Sequence, residues 1–222
     1  MTAIFALVAL VFLRVPVAVA LLGVGLAGYG AIEGWRVALI TLGTTPFNLA
    51  QAYSLSVVPL FLLMGVVAAR TSMAQELFAA ANALFAGRRG GLAMATVGAC
   101  AGFGAICGSS LATASTMTRV SIPEMRRYGY ADDVASGVVA SGGTLGILIP
   151  PSIILVIYAI IAQESVPALF AAALFPGLVL IGLHILVIAV MARMRPTALP
   201  TAPALPMAHK LRALGQMWKM AV

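Results

Sequence analysis

Uncharged apolar stretches that are long enough, or nearly so, to cross a lipid bilayer recur along this 222-residue chain. They lie at 15–32, 50–69, 90–118, 134–162 and 165–192. A spanning helix needs about 20 such residues, and only helices and closed barrels satisfy their own backbone in hydrocarbon. With 62% hydrophobic and only 9% charged residues, the chain does not have the composition of a soluble domain. The sequence therefore predicts an all-α integral membrane protein, a polytopic helix bundle.

Three other interpretations of the sequence fail on simple features. The net charge of +7 comes from basic residues at segment ends, not from the basic stripe with interleaved aromatic residues that indicates nucleic-acid binding. A signal peptide is not predicted, because no basic residue precedes the first apolar run and the hydrophobic pattern continues past Ala20. Cys100 and Cys107 share one apolar segment, which favours buried thiols over a disulfide framework or a metal cluster.

The positions of the arginines decide whether residues 90–118 cross the membrane. If they span, with Arg88 and Arg89 in the cytoplasm, at least eight basic residues further along the chain face outside. If the segment enters and leaves on the cytoplasmic side, only Arg36 of the thirteen basic residues faces out. Because basic residues accumulate in cytoplasmic loops, we expect a re-entrant helical hairpin at 90–118. Its arms of about 15 and 11 residues reach roughly the bilayer midplane.

Small polar residues interrupt this hairpin in the stretch GAICGSSLATASTM (104–117). Gly104 and Gly108 permit a tight reversal, since glycine adopts positive φ at little cost. Ser109 or Ser110 is positioned to cap the returning half-helix. Because an irregular backbone at membrane depth requires protein cover or a water-filled cavity, a cavity is predicted at the tip. The alternative is that these residues only allow close helix packing.

A second interruption lies in VASGGTLGILIPPSIIL (139–155), where the run SGGT (141–144) and the Pro150-Pro151 pair break an apolar segment. Proline lacks an N–H group and displaces the preceding residue from the helical region. We expect a discontinuous helix with free carbonyls at 141–148 and a half-helix that begins after Pro151. Half-helix N-termini favour an anion, and unwound carbonyls suit Na⁺, so two broken segments at one depth are typical of a transporter site.

Residues 1–54 leave two arrangements open. They form either a short interfacial helix followed by a span, or one long helix kinked at Pro16. Trp35 and Tyr53 are candidate interfacial anchors. A turn or a surface-lying segment is favoured over a span by four residues typical of turns, Thr44, Thr45, Pro46 and Asn48.

Several polar residues outside the two interruptions are interpreted structurally. His184 shares its apolar span with no Asp or Glu, so we expect a packed histidine rather than a proton relay. Asp132 and Asp133 precede a helix that starts near Val134, where carboxylates cap the helix and complement its dipole. A serine hydrolase dyad of Ser109 or Ser110 with His184 is an unfavourable alternative, because the histidine has no orienting acid.

Three segments carry a resemblance to a known family: VPLFLLMG (58–65), GAICGSSLATASTM (104–117) and GGTLGILIPPSIILVIYA (142–159). In this order and spacing they resemble the large membrane subunit (M subunit, DctM-like) of the tripartite ATP-independent periplasmic (TRAP) transporters. The resemblance implies a multi-pass protein of the bacterial inner membrane that is not an enzyme. It implies sodium symport of an organic acid, such as a C4-dicarboxylate, by an elevator-like mechanism.

The same resemblance implies partners and ligands. A soluble periplasmic substrate-binding protein (P-type) delivers the substrate, and a small membrane subunit (Q-type) accompanies the large one in the lipid bilayer. Sodium ions act as coupling ions, and no tightly bound cofactor or nucleic acid is expected.

The site residues that the resemblance implies lie in both interrupted segments. The ion- and substrate-binding residues are Gly108, Ser109, Ser110 and Thr113 of the hairpin, and Ser141, Gly142, Gly143 and Thr144 of the broken helix. The sodium ligands among them are Ser109, Ser110, Gly142 and Thr144. The helix breaks are assigned to Gly104, Pro150 and Pro151.

The chain departs from the family in one respect. Family members contain two inverted repeats, each with its own hairpin and broken helix, whereas this sequence holds one. We expect a scaffold region at 1–54, a transport-type repeat at 55–195 and a cytoplasmic connector at 196–222 in which the chain is truncated. The repeat comprises helix 55–69, hairpin 90–118, broken helix 134–162 and helix 165–192. The missing second half is then a further partner; the alternative is a half-length, non-transporting assembly subunit.

Overall fold

The computed structural model of the chain describes residues 2–51 and 57–203, together with Gly215. Across these ranges it contains eleven α-helices, and the only β-type pairing in them is an isolated bridge between Arg89 and Thr201. This confirms the predicted all-α membrane bundle. The contacts divide the chain into two units, Met1–Leu55 and Ser56–Val222.

The first unit begins with two separate helices, α1 (Thr2–Phe12) and α2 (Val17–Glu33). Between them Arg14 adopts a φ of 61°, and Pro16 is the N-cap residue of α2. The single helix kinked at Pro16 is therefore wrong; two helices are present, and whether the first is interfacial and the second spans stays a prediction. Proline is tolerated here because the start of a helix needs no intrahelical N–H bond.

The third helix of this unit, α3 (Trp35–Gln51), runs without interruption through Pro46. The turn expected around this proline is therefore wrong, and its alternative, a surface-lying segment, stays a prediction. Thr44 Oγ1 donates a hydrogen bond to Ile40 O (3.0 Å), so this hydroxyl is satisfied within the helix and does not stabilise a turn. Tyr53, the second expected interfacial anchor, lies outside the described residues.

The second unit is built around α6. Its helices are α4 (Val57–Arg70), α5 (Met73–Phe85), α6 (Gly91–Cys107), α7 (Ser110–Arg127), α8 (Asp132–Gly143), α9 (Leu145–Leu148), α10 (Ile153–Ala162) and α11 (Val166–Met194). α6 contacts α4, α5, α7, α8, α9 and α11. Leu92, Val97 and Phe103 of α6 are fully buried, as expected of a helix that is apolar on all sides. Helix α5 was not predicted from the sequence.

By length and composition, α11 is the one described helix that could cross a membrane by itself. Two helix pairs meet the same criterion when each is taken as one bent span: α4 with α5, bent by 69°, and Asp132–Leu148 with α10, bent by 41°. The helices α1, α2 and α6 are apolar but shorter.

The predicted connector at 196–222 is partly packed against the bundle. Leu199 is fully buried in the core cluster that also contains Ile188 and Ala192. Ala131 N donates a hydrogen bond to Ala198 O at 3.2 Å. These contacts hold the first residues of the segment on the bundle, and the part beyond 203, apart from Gly215, lies outside the described residues.

Asp132 and Asp133 lie in the first turn of α8 but do not cap it. The N-cap residue is Ala131, which makes no side-chain cap, so the predicted capping role is wrong. Instead Asp132 Oδ1 accepts a hydrogen bond from Arg126 Nε at 2.7 Å, and Asp133 Oδ2 lies 3.8 Å from Arg195 Nη1. The hydrogen bond and charge of Asp132 raise the pKa of the Arg126 guanidinium. Both carboxylates still complement the positive end of the helix dipole.

Candidate functional site

The hairpin reverses within two residues. α6 ends at Cys107, Gly108 adopts the left-handed conformation (φ 61°, ψ 17°), and Ser109 is the extended N-cap of α7. Ser109 Oγ accepts a hydrogen bond from Ala112 N at 3.4 Å. Gly104 is buried inside α6 and accepts a hydrogen bond from Gly108 N, so the break expected at Gly104 is wrong and lies four residues later.

The turn is held by a small buried polar cluster at the start of α7. Thr113, which is fully buried, donates from Oγ1 to Ser109 O at 2.8 Å. Cys107 Sγ lies 3.2 Å from the same hydroxyl. Both Cys100 and Cys107 are buried free thiols. The cluster fixes the backbone of Ser109, since buried polar groups that find partners constrain their surroundings.

The second interruption is a bend at 149–151, with extended backbone at Ile149 and Ser152. Ile149 leaves the helical region (φ −87°, ψ 121°), and the Pro150-Pro151 bond is cis. α10 then begins at Ile153, with Ser152 as its extended N-cap and Ser152 Oγ accepting from Leu155 N at 3.5 Å. The half-helix expected after Pro151 is therefore present.

The free carbonyls expected at 141–148 are absent from the first part of this segment, whereas the carbonyls of 146–148 accept none of the described backbone hydrogen bonds. The carbonyls of Ser141, Thr144 and Leu145 accept backbone hydrogen bonds within the segment, and α8 includes Gly142 and Gly143. Proline acts on the residue before it and on the carbonyl one turn earlier, whereas glycine only permits unwinding. The chain therefore leaves the helix next to the prolines and not at the glycines.

The two interruptions contact each other directly. Gly108 O, at the end of α6, accepts a hydrogen bond from Ile153 N, at the start of α10, at 3.2 Å. A Cβ at Gly108 would lie 2.8 Å from Pro151 O, so glycine is required both by the positive φ and by this contact. The hairpin tip and the break after α9 thus form one continuous structure.

Gly146 of α9 completes the contact from the other side. A Cβ on Gly104 would lie 2.6 Å from Gly146 Cα, and a Cβ on Gly146 would lie 2.9 Å from Thr113 Oγ1 and 3.0 Å from Ser109 O. The backbones of α6 and α9 therefore approach as closely as two glycines permit, in the manner of small-residue helix interfaces in membranes.

The remaining predicted residues of the broken helix have other surroundings. Gly142 is buried against Cys100, and Gly143 faces Ala114 of α7. Thr144, an exposed residue, donates from Oγ1 to Ser141 O at 2.7 Å. Packing thus accounts for Gly142 and Gly143.

Sequence reasoning missed Gly146 and Ser152, which contact the tip or cap the second half-helix. Each carried a recognisable signal. Gly146 follows Gly142 at helical spacing, which is typical of a close helix contact. Ser152 directly precedes an apolar run, which is typical of an N-cap.

Two helix C-termini and two helix N-termini lie at this contact between the interruptions. α6 and α9 end there, at Cys107 and Leu148, while α7 and α10 begin there, at Ser110 and Ile153. Helix N-termini carry partial positive charge and C-termini partial negative charge. The arrangement can attract a carboxylate to its N–H groups and a cation to its carbonyl groups.

A cavity of about 180 Å³ lies beside the tip, between α4 and the hairpin. It is lined by Leu62, Gly65, Cys107, Ser109, Ser115 and Thr116, among others. Ligand pockets usually measure about 300–1,000 Å³, so this space suits water or an ion better than an organic molecule. Three hydroxyl groups give it oxygen atoms of the kind that hard cations prefer.

The residues of the hydrolase alternative line different cavities. Ser109 belongs to the cavity beside α4, whereas His184 belongs to a groove between α8 and α11. His184 Nδ1 lies 2.8 Å from Leu180 O, within its own helix. This geometry gives no support to a serine-histidine dyad.

Comparison with known proteins identifies the family. Residues 4–222 match the family described as "Tripartite ATP-independent periplasmic transporter, DctM component". The chain belongs to this DctM family. Its paired helix interruptions therefore lie in an integral membrane protein of this family, and the resemblance of the three sequence segments is confirmed.

Curated relatives with different substrates in their names are similar to the chain. The C4-dicarboxylate TRAP transporter large permease protein DctM of Pseudomonas aeruginosa is 42% identical over 71% of this chain and 36% of its own length. The Vibrio cholerae protein of the same name is 38% identical over 79% of this chain and 38% of its own length. The sialic acid TRAP transporter permease protein SiaT of Haemophilus influenzae is 32% identical over 77% of this chain and 27% of its own length. The chain thus matches well under half the length of these relatives.

Proposed function

We propose that this DctM family chain forms part of the membrane subunit of a sodium-coupled secondary transporter. It would import a carboxylate-bearing organic acid, a C4-dicarboxylate or a similar compound, delivered by a periplasmic binding protein. The observation that carries the proposal is the contact between the two interruptions, where Gly108 O accepts from Ile153 N. Paired discontinuous helices of this kind form the substrate and ion sites of secondary transporters.

The substrate carboxylate would bind at the N-termini of α7 and α10. Both helices begin with a serine cap of nearly the same conformation, Ser109 (φ −133°, ψ 123°) and Ser152 (φ −129°, ψ 129°). Their first-turn N–H groups and dipoles favour an anion. The dicarboxylate and sialic acid named for the relatives both carry carboxylates, which supports this choice of recognised group.

Sodium would bind at the tip through Ser109 and Ser110, both half-buried. In the broken helix, Pro151 O lies close to Gly108 at the hairpin tip. This position supports Pro151 O as a sodium ligand in place of Gly142 and Thr144. Gly142 packs against Cys100, and the Thr144 hydroxyl is already hydrogen-bonded to Ser141 O. Carbonyl and hydroxyl oxygens are suitable ligands for such a hard cation.

Ion and substrate would strengthen each other's binding. Sodium bound to Pro151 O would stabilise the contact between the two interruptions. That contact in turn would hold the N-termini of α7 and α10 in the arrangement that binds the carboxylate. By linkage, each ligand raises the affinity of the other by the same factor. Because hairpin and broken helix are joined at Gly108 and Gly104, they would also move as one body in an elevator-like cycle.

The complete transporter would include a small membrane subunit, the periplasmic binding protein and a second inverted half, in a bacterial inner membrane. A direct test reconstitutes this assembly in proteoliposomes and measures uptake of a radiolabelled C4-dicarboxylate. We expect uptake only with an inward sodium gradient. Equal uptake when potassium replaces sodium, or equal substrate affinity with and without sodium, would contradict the coupling.

A matched pair of variants tests the site. Ser109→Ala removes a proposed sodium ligand together with an N-cap hydrogen bond of 3.4 Å, whereas Ser165→Ala removes an equivalent N-cap bond of 3.5 Å at the start of α11. Loss of a cap costs about 1 kcal/mol in either variant. We expect only Ser109→Ala to raise the sodium concentration needed for half-maximal uptake. The same sodium dependence in both variants would contradict the role of Ser109.

A further inference from the structure

The segment that follows α11, RPTALPTAP (195–203), runs past both ends of the hairpin, opposite its tip. Three of its nine residues are proline. Because proline cannot continue a helix and has little backbone freedom to lose, such a segment keeps one path at a low cost in conformational entropy. The contact between the two interruptions and the cavity beside α4 are formed by other parts of the chain.

The segment contacts the chain directly before α6, the first arm of the hairpin. Arg89 and Thr201 form the isolated antiparallel bridge. A Cβ at Gly90 would lie 3.3 Å from Leu199 Cδ2, and Leu199 is fully buried in the core cluster. Since a leucine gains most when all of its side chain leaves water, Leu199 anchors the segment at this end of the hairpin.

The same segment contacts the chain directly after α7, the second arm. Ala198 O accepts a hydrogen bond from Ala131 N at 3.2 Å. Arg195 also pairs with Asp133 at 3.8 Å, but both side chains are exposed, so the pair contributes little. Residues 195–203 therefore join the two ends of the hairpin, which the sequence separates by the length of both arms.

Tyr130 lies between the same two ends. It follows the second arm, is 4% exposed and belongs to the core cluster that contains Leu199. Burial raises the pKa of its hydroxyl, and the backbone N–H groups of Leu92 and Ala93 counteract this rise. The hydroxyl, which has no hydrogen-bond partner of good geometry among the described residues, is thus directed at the first turn of α6, where N–H groups lack intrahelical partners. The phenol and the segment close the same end of the hairpin.

We propose that residues 195–203 are a clasp that closes the base of the hairpin and stays closed while ligands bind and leave at the tip. The base is tied by the buried side chain of Leu199 and the backbone hydrogen bond to Ala198. The tip, in contrast, reverses at one glycine beside a cavity. A route to the tip between the two arms is then shut at its base. The closed base stands on the contacts of the clasp alone, whereas its persistence during transport rests on the proposed function.

Hydrogen exchange of the purified chain in detergent tests the closed base without reference to transport. Leu199→Ala removes the buried anchor, so we expect the Ala131 amide, which donates to Ala198 O, to exchange at least about tenfold faster. The matched control is Leu145→Ala, which removes an equally buried leucine from α9, near the tip. Equal acceleration at Ala131 in the two variants would mean a general loosening of the bundle and would overturn the proposal, as would no acceleration in either.

A disulfide across the bridge tests the clasp with two exposed positions, where substitution leaves the core intact. Antiparallel bridge partners have Cα atoms about 4.5–5.5 Å apart, within the range that a disulfide spans. Arg89→Cys with Thr201→Cys should therefore cross-link on mild oxidation. Arg88→Cys with Thr201→Cys, displaced by one residue, should cross-link more slowly. Cys100 and Cys107 are buried and do not compete. Equal cross-linking of the two pairs, or none in the first, would contradict the closed base.

The cross-linked pair then shows whether the clasp stays closed during transport. In the reconstituted assembly, uptake of a radiolabelled C4-dicarboxylate is compared before and after reduction of the disulfide. We expect equal rates in both forms. Uptake that is lost in the oxidised form and returns on reduction would overturn the proposal, because the base must then open. If sodium-driven uptake is absent from both forms and from the unmodified assembly, the proposed function fails instead, and the exchange and cross-linking results decide the clasp.

Discussion

Gly25 and Gly28 of α2 and three glycines of α6, α8 and α9 lie in apolar helices but have opposite surroundings. A Cβ added at Gly25 or Gly28 of α2 would meet no atom within 4 Å. A Cβ added at Gly104, Gly143 or Gly146 would meet a neighbouring atom at 2.6, 2.7 or 2.9 Å, respectively. The same residue type thus leaves a helix surface uncovered at Gly25 and Gly28 and sets the distance between helices at Gly104, Gly143 and Gly146.

The difference shows that glycine content alone does not indicate a membrane site. What distinguishes the tip is a chain of close contacts: Gly104 on α6 faces the backbone of Gly146 on α9, and Gly146 in turn faces Thr113 and Ser109. These contacts bring the carbonyl of Ser109 and the hydroxyl of Thr113 against the broken helix. Close backbone approach therefore assembles the candidate site, whereas open glycines impose no comparable constraint on their surroundings.

The largest expected effect is that of Gly104→Ala. The new methyl group would lie 2.6 Å from the backbone Cα of Gly146, and backbone cannot rotate away as a side chain can. We expect a loss of about 3 kcal/mol in the free energy of unfolding in detergent, at the upper end of the range for overpacking. Gly28→Ala is the control: with open space around it, alanine should be neutral or stabilise α2 by about 0.5–1 kcal/mol. Equal effects at both positions would contradict the comparison.

A smaller effect separates crowding from backbone conformation. Gly108 and Gly129 both have positive φ, 61° and 79° respectively. A Cβ at Gly108 would lie 2.8 Å from Pro151 O, whereas a Cβ at Gly129 would meet no atom within 4 Å. Gly129→Ala should cost only the left-handed conformation, about 1 kcal/mol. Gly108→Ala should cost about 2 kcal/mol, because the clash is added. Denaturant unfolding of the two variants measures the difference, and a larger loss at Gly129 would mean that crowding at the tip is relieved by movement.

Local sequence signals predicted where helices break. They were less successful in predicting which residues contact each other at the breaks. The prolines at 150 and 151 act on their own backbone, so the half-helix at Ile153 followed from sequence. Gly104 and Gly142 were assigned to irregular backbone because glycine permits it, yet both are helical. Whether a glycine unwinds or packs depends on which atoms lie opposite, and that information is tertiary.

The partners of the hairpin tip could not be predicted for the same reason. The hydrogen bond from Ile153 N to Gly108 O joins residues 45 positions apart along the sequence, and no local pattern encodes that register. The arginine distribution predicted a hairpin in 90–118, and the reversal at Gly108 lies inside this range. Its returning helix nevertheless extends to Arg127, beyond the predicted end at 118, because an arginine that ends an uncharged stretch is itself a good helix former and does not end the helix.

The smallest effect tests the comparison with hydroxyl groups instead of glycines. Thr113 Oγ1 donates to Ser109 O in the fully buried tip, and Thr44 Oγ1 makes a similar bond to Ile40 O on the exposed face of α3. Thr113→Val removes the buried bond, and its contact with Cys107, without changing the volume, so we expect a loss of about 1 kcal/mol. Thr44→Val should change the free energy of unfolding by less than about 0.5 kcal/mol. Because Thr113 N still donates to Ser109 O, Thr113→Val should leave the fold intact. A loss well above 1 kcal/mol would therefore show that the hydroxyl holds the contact with Gly146 as well as the turn.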